Sequence, residues 1–312
     1  MISRRMVLSG ASALIATGAV SAQAQTPALE QILLWQGKAP GGGGTTGPEK
    51  LGDKGGAKGA VSNISVPRLR VYRPAVPNGK AVIICGGGGY FRIQLRKEST
   101  PAAKWLQQRG YTAFELIYRL PADGWDASAP FIDAQRALKI VRTRAADFSL
   151  DPNKIGIMGM SAGGHLAGFT ALQPSRALYA GQDQYEAASA RPDFAALLFP
   201  VVSLRKPYDT TRTRKEIIGT KPSTSAQNAW SLDSYAAKDA PPMILFSAAD
   251  DAITPPGHNI ALFEALTKAG ASAELHIFAN GGHGWGLGKP TENLSQWPEL
   301  FNNWTDRVVF TQ

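Results

Sequence analysis

Short apolar runs and amphipathic stretches alternate along most of this chain. Runs rich in β-branched and aromatic residues predict strands at residues 66–72, 81–85, 112–118, 154–158, 195–202, 243–247 and 273–278. Between several of them, apolar residues recur at helical spacing over residues 99–109, 130–146, 162–172 and 258–269. Gly110 and Gly270 stand where helix C-caps are expected. The alternation predicts an α/β fold with a mostly parallel central sheet and helices on both faces.

Two segments interrupt this alternation. Residues 38–63 are rich in Gly, Lys and Thr and lack apolar periodicity, so we expect an irregular surface segment there. Residues 203–241 contain Pro207 and Pro222, with a short helical piece around residues 214–218. This second segment is predicted to pass over the strand ends, either as part of a pocket rim or as a plain connecting loop. Ligands of such sheets bind at the carboxyl ends of the strands.

The N-terminus has the pattern of an export signal. Two arginines, Arg4 and Arg5, precede a short apolar stretch that ends at Val20, and Ala22-Gln23-Ala24 follows it. We therefore predict a twin-arginine signal peptide over residues 1–24, one catalytic domain over residues 25–312, and a periplasmic or secreted location. A membrane anchor is the alternative, but polar and glycine residues keep the stretch short of ~20 strongly apolar residues. No stable membrane insertion is expected after cleavage.

Composition narrows the classes of function. The chain has 312 residues and a net charge of +9, which falls to +7 when Arg4 and Arg5 leave with the signal. Its Lys and Arg residues are scattered, and the densest group, around residues 212–215, has no interleaved aromatic residues, so no nucleic-acid partner is predicted. Cys85 is the only cysteine, which excludes an intrachain disulfide. Because it ends an apolar run, we expect a buried thiol there and not a nucleophile.

The first candidate for chemistry is a serine between glycines. Residues 154–158 read as a strand that runs into Gly159-Met160-Ser161-Ala162-Gly163 and then a helix. A strand, a tight turn and a helix form the context of a nucleophile elbow, in which side chains flanking the serine would collide with neighbouring backbone. Ser161 is therefore the predicted nucleophile of a hydrolase. A packing turn of small residues is the alternative.

A serine hydroxyl needs a base, and the chain has four histidines. His165 lies in the helix after the serine, His276 inside a strand, and His258 at a helix start. His283 instead lies in a glycine-rich loop just past the last predicted strand, which lets an imidazole reach over the strand ends. His283 is the predicted base.

The carboxylate that orients the base is expected after the penultimate strand, where Asp250 and Asp251 are adjacent. One of them should accept a hydrogen bond from the proton-bearing nitrogen of His283, while the other accepts hydrogen bonds from backbone amides of the loop. We predict Asp251 as the acid of the triad, with Asp250 as the alternative. The order Ser, Asp, His along the chain is that expected of the α/β-hydrolase fold.

Acyl transfer also needs donors for a tetrahedral oxyanion. The glycine run Gly86-Gly87-Gly88-Gly89 ends an early strand at the right place. We assign the donors to the backbone of Gly87 and Gly88, together with Ala162 after the nucleophile. A phosphate-binding loop is disfavoured because no Gly-Lys-Ser/Thr follows.

These residues resemble the acetyl xylan esterase-like branch of the α/β-hydrolases, which is related to the hormone-sensitive-lipase and dienelactone-hydrolase types. The resemblance covers nearly all of the chain after the signal. One departure is Gly86, where the family usually has proline. The resemblance to this family is carried by the following motifs: residues 63–67, the Gly-Gly-Gly-Tyr turn, residues 118–120, Asp133 with Ala134 and Ala137, Arg142, residues 159–165, Asp250-Asp251 and residues 282–284.

The resemblance implies deacetylation of acetylated plant polysaccharides or oligosaccharides by a Ser161, Asp251 and His283 triad, with no metal and no organic cofactor. The expected partner is a small-molecule or oligosaccharide ester. Tyr90 and Trp285 could stack on a sugar or pack the two loops together. A serine peptidase of the same fold and a non-catalytic carbohydrate-binding protein are the rival functions. Nothing in the sequence indicates an oligomeric state.

Overall fold

An eight-stranded sheet forms the centre of the computed structural model, which describes residues 29–45 and 47–309. The signal predicted at residues 1–24 lies outside these residues. The strands of the described residues are β1 Glu30–Leu33, β2 Lys50–Leu51, β3 Ala60–Ser62, β4 Arg68–Tyr72, β5 Ala81–Cys85, β6 Ile93–Gln94, β7 Thr112–Ile117, β8 Ile155–Met160, β9 Phe194–Leu198, β10 Met243–Ala248 and β11 Ala273–Phe278.

The order in the central sheet is β1-β4-β7-β5-β8-β9-β10-β11. Strands β1, β4 and β7 pair antiparallel, whereas all pairs from β7 to β11 are parallel. The mostly parallel sheet predicted from the alternation is therefore confirmed. A second sheet, of order β2-β3-β6, is small and antiparallel.

Helices cover both faces of the central sheet. Among the described residues they are α1 Thr100–Gln108, α2 Ala129–Thr143, α3 Ala162–Leu172, α4 Arg212–Ile218, α5 Thr224–Ala229, α6 Gly257–Lys268 and α7 Trp297–Trp304. On β5, Ile83 and Cys85 face a core shared with α2, α3 and α6, whereas Val82 and Ile84 face a core shared with α1 and α7. Both faces of β5 are thus buried, which explains its continuous apolar run.

Two side chains noted in the sequence, Cys85 and Asp133, are buried in the interior of the protein. Cys85 is fully buried, as predicted, and burial raises the pKa of its thiol. Arg119 and Asp133 form a fully buried ion pair, with Arg119 Nη2 donating to Asp133 Oδ1 at 2.8 Å. The indole of Trp35 donates to the same carboxylate at 3.1 Å. Within the described part of the chain, no helix is long and apolar enough to cross a membrane.

Several elements were not predicted, among them β1, β2, β3 and α7. Residues 38–63, expected to be irregular, contribute β2 and β3, whose two or three residues are too short to show a period. Strand β1 buries only Ile32 and is recognisable only by its pairing with β4. In α7, Asn302 and Asn303 are weak helix formers. Burial of Trp297, Phe301 and Trp304 on one side stabilises this helix.

Candidate active site

Ser161 stands in a sharp turn between β8 and α3. Its backbone has φ 53° and ψ −118°, a conformation that few residues other than glycine adopt and that stores strain. The turn is held by its own backbone, because Ser161 N–H donates to Leu198 O at 3.0 Å and Ser161 O accepts from Val201 N at 3.2 Å. The side chain is thereby presented at the carboxyl end of the sheet, above the N-terminus of α3.

The flanking glycines are required by close backbone contacts. A Cβ on Gly159 would lie 2.0 Å from Gly163 O, and one on Gly163 would lie 2.1 Å from Cys85 O. Neither backbone atom could move aside cheaply. The collision argued from the sequence motif is therefore present in the structure.

The structure brings Ser161, His283 and Asp251 into one hydrogen-bonded row. His283 Nε2 lies 2.8 Å from Ser161 Oγ, and His283 Nδ1 lies 2.7 Å from Asp251 Oδ2. Because the carboxylate only accepts, Nδ1 carries the proton and Nε2 is left to accept from the serine hydroxyl. The imidazole is half-buried, with 16% of its side chain exposed, and it opens on a pocket. This is the geometry of a nucleophile, a base and an orienting acid.

The two adjacent aspartates have different surroundings. Asp251 is buried, and its Oδ1 accepts from the N–H groups of Ile253 at 2.8 Å and Thr254 at 2.9 Å. Burial alone would raise the pKa of Asp251, but the bonds from His283 and these amides outweigh it and the pKa is lowered. Asp250 is exposed and accepts from Gly282 N–H at 2.8 Å. Asp251 therefore bonds the imidazole of the base itself, whereas Asp250 bonds the backbone of the loop that carries the base.

The other histidines are engaged elsewhere. His165 is fully buried, donates from Nε2 to Trp230 O at 2.7 Å, and accepts at Nδ1 from the Tyr90 hydroxyl at 2.9 Å. His258 accepts at Nδ1 from Val202 N–H at 3.1 Å. Burial lowers the pKa of both imidazoles to about 4. His276 pairs with Glu274 on β11.

One predicted oxyanion donor is wrong. The N–H of Gly87 donates to the carboxylate of Glu98 at 2.7 Å and is therefore not available to a substrate. Gly88 and Ala162 remain, since neither N–H has an acceptor within the described ranges. Ala162 is the first residue of α3, where helix amides lack intrahelical acceptors. Two candidate donors therefore remain, in place of three.

A pocket of about 350 Å³ opens above Ser161. The rim includes Thr211 and Arg212, so the segment 203–241 contributes to it, which agrees with the rim interpretation of that segment. The guanidinium carbons of Arg92 and Arg212 lie 4.7 and 5.0 Å from the centre of the Phe91 ring. Arg92, Lys97 and Arg212 all line the pocket with Ser161, and their positive charge favours negative charge that develops there.

The two aromatic residues predicted to stack on a sugar have other positions. Tyr90 is fully buried and bonded to His165, so sugar stacking by Tyr90 is wrong and its packing role is correct. Trp285 is half-buried and packs edge-on against Phe199 at 4.3 Å between ring centres. Phe199 also contacts the His283 ring at 5.0 Å. Trp285 therefore packs on Phe199, which in turn contacts the base, and it does not line the pocket.

Three residues at this site escaped sequence reasoning. Thr254 Oγ1 lies 2.9 Å from Asp251 Oδ2 and 3.1 Å from His283 Nδ1, and so borders the acid–base contact. Phe199 has φ 38° directly after β9, which turns its ring toward His283. Glu98 is buried in the pocket wall. Of the three, only Thr254 could have been found from local sequence, because it lies three residues after Asp251 in a turn, where hydroxyl side chains often bond a nearby aspartate.

Fold and geometry together define an α/β-hydrolase. The fold is shared with an acetyl ester-xyloside bifunctional hydrolase from Caldicellulosiruptor lactoaceticus, at 30% identity and a TM-score of 0.74, over 91% of this chain and 97% of that one. It is also shared with a propionate-bound esterase from Thermogutta terrifontis, at 26% identity and a TM-score of 0.69, over 91% and 96% of the two chains.

The BD-FAE family model matches residues 69–266, and the chain belongs to this family. Among curated proteins, an acetylxylan esterase of Xylanibacter ruminicola is 30% identical over 255 residues, which are 80% of this chain and 50% of that protein. The chain thus spans about half the length of that relative. The family assignment agrees with the α/β-hydrolase resemblance carried by the motifs of the sequence.

Proposed function

We propose that this protein is a serine esterase that hydrolyses short-chain esters, acetyl esters above all, on xylan or related oligosaccharides. The observation that carries the proposal is the row Ser161, His283 and Asp251, with contacts of 2.8 and 2.7 Å at the strained turn. Similarity to an acetylxylan esterase and to an acetyl ester-xyloside hydrolase supports the acetyl preference and the sugar.

The proposed reaction begins when Ser161 Oγ attacks the ester carbonyl carbon and His283 Nε2 takes the hydroxyl proton. The carbonyl oxygen becomes an oxyanion that the N–H groups of Gly88 and Ala162 bind. His283 then gives its proton to the departing alcohol oxygen, which leaves an acyl group on Ser161. A water molecule, deprotonated by His283, attacks the acyl carbon, and the acid leaves as Ser161 regains its proton. Asp251 keeps the imidazole oriented and stabilises its charged form.

The direct test replaces the nucleophile. Ser161→Ala should lower kcat on p-nitrophenyl acetate by at least about 10³-fold and abolish labelling by a fluorophosphonate probe. Ser225→Ala, which changes an exposed serine on α5, is the matched control and should keep both activity and labelling. Full activity in Ser161→Ala would rule out the assignment.

The substrate is tested with the wild-type protein. Acetate release should be faster from acetylated xylan and acetylated xylo-oligosaccharides than from acetylated mannan or chitin. On p-nitrophenyl esters, kcat/KM should fall as the acyl chain lengthens from acetate to octanoate. Faster turnover of octanoate would contradict the acetyl preference, and turnover of peptide amides at comparable rates would favour a peptidase.

We further propose export by the twin-arginine route, supported by Arg4 and Arg5 ahead of the apolar stretch and by Ala22-Gln23-Ala24. Fractionation of expressing cells, with N-terminal sequencing of the product, tests this. A product that begins at Gln25 is expected outside the cytoplasm, and replacement of both arginines by lysine should retain the precursor inside.

A further inference from the structure

Glu98 is a buried carboxylate in the catalytic pocket that the triad chemistry does not use. Only 4% of the residue is exposed, and it lines the same pocket as Ser161 and His283. It lies in the turn Leu95–Ser99 that leads from β6 into α1. A buried carboxylate is costly unless neighbouring groups satisfy it, so its contacts indicate what it does.

On one side, Glu98 holds the glycine loop after β5. Its Oε2 accepts from Gly87 N–H at 2.7 Å. A Cβ on Gly87 would lie 2.7 Å from that oxygen and 2.9 Å from Ser161 Cβ, so the loop is tightly enclosed between carboxylate and nucleophile. The next residue, Gly88, has φ 125° and carries one of the two unengaged N–H groups beside the serine.

On the other side, the segment 97–98 contacts the loop that carries the base. A Cβ on Gly284 would lie 3.3 Å from Glu98 Oε1, and one on Gly286 would lie 2.4 Å from Lys97 O. Glu98 therefore binds the glycine loop through Oε2, and its Oε1 lies close to Gly284 in the loop that carries the base.

Charge links Glu98 to the base as well. Asp251 from the loop after β10 bonds His283, and Glu98 from the turn before α1 interacts with it electrostatically, while Lys97, Arg92 and Arg212 line the same pocket. His258 on α6 also interacts with it electrostatically. Burial raises the pKa of Glu98 overall, although the Gly87 N–H and the charges of His283, Lys97 and Arg92 oppose that rise. A negative Glu98 favours the imidazolium that forms during acyl transfer.

We propose that Glu98 is a positioning residue of this reaction, which holds the Gly87–Gly88 turn in place for the oxyanion and stabilises the positive charge on His283. This inference rests on the proposed esterase function. The two contributions are separable, because Glu98→Gln keeps an oxygen that accepts from Gly87 N–H but removes the charge. Glu98→Ala removes both.

The test measures kcat and KM on p-nitrophenyl acetate from pH 5 to pH 9. Glu98→Ala should lower kcat by up to about 10²-fold with KM within about 3-fold, because the donor is misplaced mainly for the transition state. Glu98→Gln should lose less kcat. Its acid limb should move to lower pH, since the imidazolium loses a favourable negative neighbour.

Glu115→Gln is the matched control. Glu115 is equally buried and bonds Ser99 and Thr100 beside the same turn, but it does not line the pocket. It should lower the melting temperature and leave the acid limb in place. Unchanged kcat and acid limb in both Glu98 variants would overturn the inference, as would losses that only follow the folded fraction measured by circular dichroism.

The outcome is distinguishable from failure of the esterase proposal. A wild-type protein that is active on esters while both Glu98 variants match it sinks only the role of Glu98. A wild-type protein inactive on every ester sinks the proposed function. The rate of fluorophosphonate labelling against pH still compares wild type with Glu98→Gln in that case, and an identical profile would also overturn the inference.

Discussion

Two buried carboxylate pairs, Asp251 with His283 and Asp133 with Arg119, serve different ends in this molecule. Both carboxylates are fully enclosed and accept several hydrogen bonds, Asp251 from loop amides and Asp133 from Trp35 and Arg119. Arg119 is itself fully enclosed and permanently charged. His283 is 16% exposed, faces a pocket, and can gain or lose a proton.

The exposure of the partner distinguishes a catalytic carboxylate pair from a structural one, even though the two carboxylates have similar surroundings. A buried carboxylate supports structure when its partner is closed off, and supports a reaction when its partner reaches solvent and a nucleophile. Changes to Asp133 or Arg119 should therefore affect folding and spare turnover, while changes to Asp251 or His283 should lower turnover and spare folding.

The largest effect is expected at the acid of the reactive pair. Asp251→Asn should lower kcat on p-nitrophenyl acetate by about 10³- to 10⁴-fold, because the amide no longer fixes the imidazole with its proton on Nδ1. Steady-state kinetics measures the loss, and circular dichroism should show a fold close to wild type. Activity within 10-fold of wild type would transfer the role to another carboxylate.

The matching change in the structural pair is Asp133→Asn. Removal of one partner leaves Arg119 as an uncompensated buried charge, which costs about 3–5 kcal/mol in the free energy of unfolding. The melting temperature should fall by roughly 10 °C. Turnover per folded molecule should stay near wild type, and a large loss of kcat in fully folded protein would break the contrast between the pairs.

A buried histidine without a carboxylate is expected to make folding depend on pH. Burial lowers the pKa of His165 to about 4, whereas an unfolded histidine titrates near ~6.5. The unfolded chain therefore takes up the proton first, so stability present above about pH 6.5 is lost as the pH falls toward 4. At pH 5 this histidine should cost roughly 2 kcal/mol relative to pH 7.

Urea unfolding of wild type and His165→Asn at the two pH values isolates this contribution. The stability advantage of wild type over the variant should shrink by about that amount at pH 5. An advantage that is equal at both pH values would show that His165 does not titrate between them.

The smallest effect is expected at the neighbour of the reactive acid. Asp250→Asn should change kcat/KM by less than about 5-fold, because Asp250 is exposed and its amide replacement can still accept from Gly282 N–H. Assays of Asp250→Asn and Asp251→Asn side by side would sharpen the comparison. A loss as large as that of Asp251→Asn would contradict the geometric choice between the two.

Local patterns were sufficient for the elements that meet at the site. Residues 154–158 and 162–172, predicted as strand and helix, correspond to β8 and α3, with Ser161 between them. His283 was separable from three other histidines because its glycine-rich loop follows a strand. These features are read within a few residues of each other, so no knowledge of distant contacts was needed.

Features that depend on distant segments could not be predicted in this way. Glu98 lies more than sixty residues before Ser161, in a turn with no motif, and its role is visible only through its contact with Gly87. The same contact removed Gly87 from the oxyanion donors. Tyr90 looked like a pocket residue because it follows the glycine run, yet its ring points into the core against His165.

The α/β alternation, the tight serine turn and the candidate base follow from the amino-acid sequence alone, because periodicity and tight turns are local properties of the backbone. The choice between Asp250 and Asp251 instead requires the folded chain, since it depends on which carboxylate is buried 2.7 Å from an imidazole thirty-two residues away. The oxyanion donors likewise depend on tertiary contacts, because the bond from Gly87 N–H to Glu98 leaves only Gly88 and Ala162 as candidates. Burial and partnership of polar groups are set by segments that meet only when the chain folds.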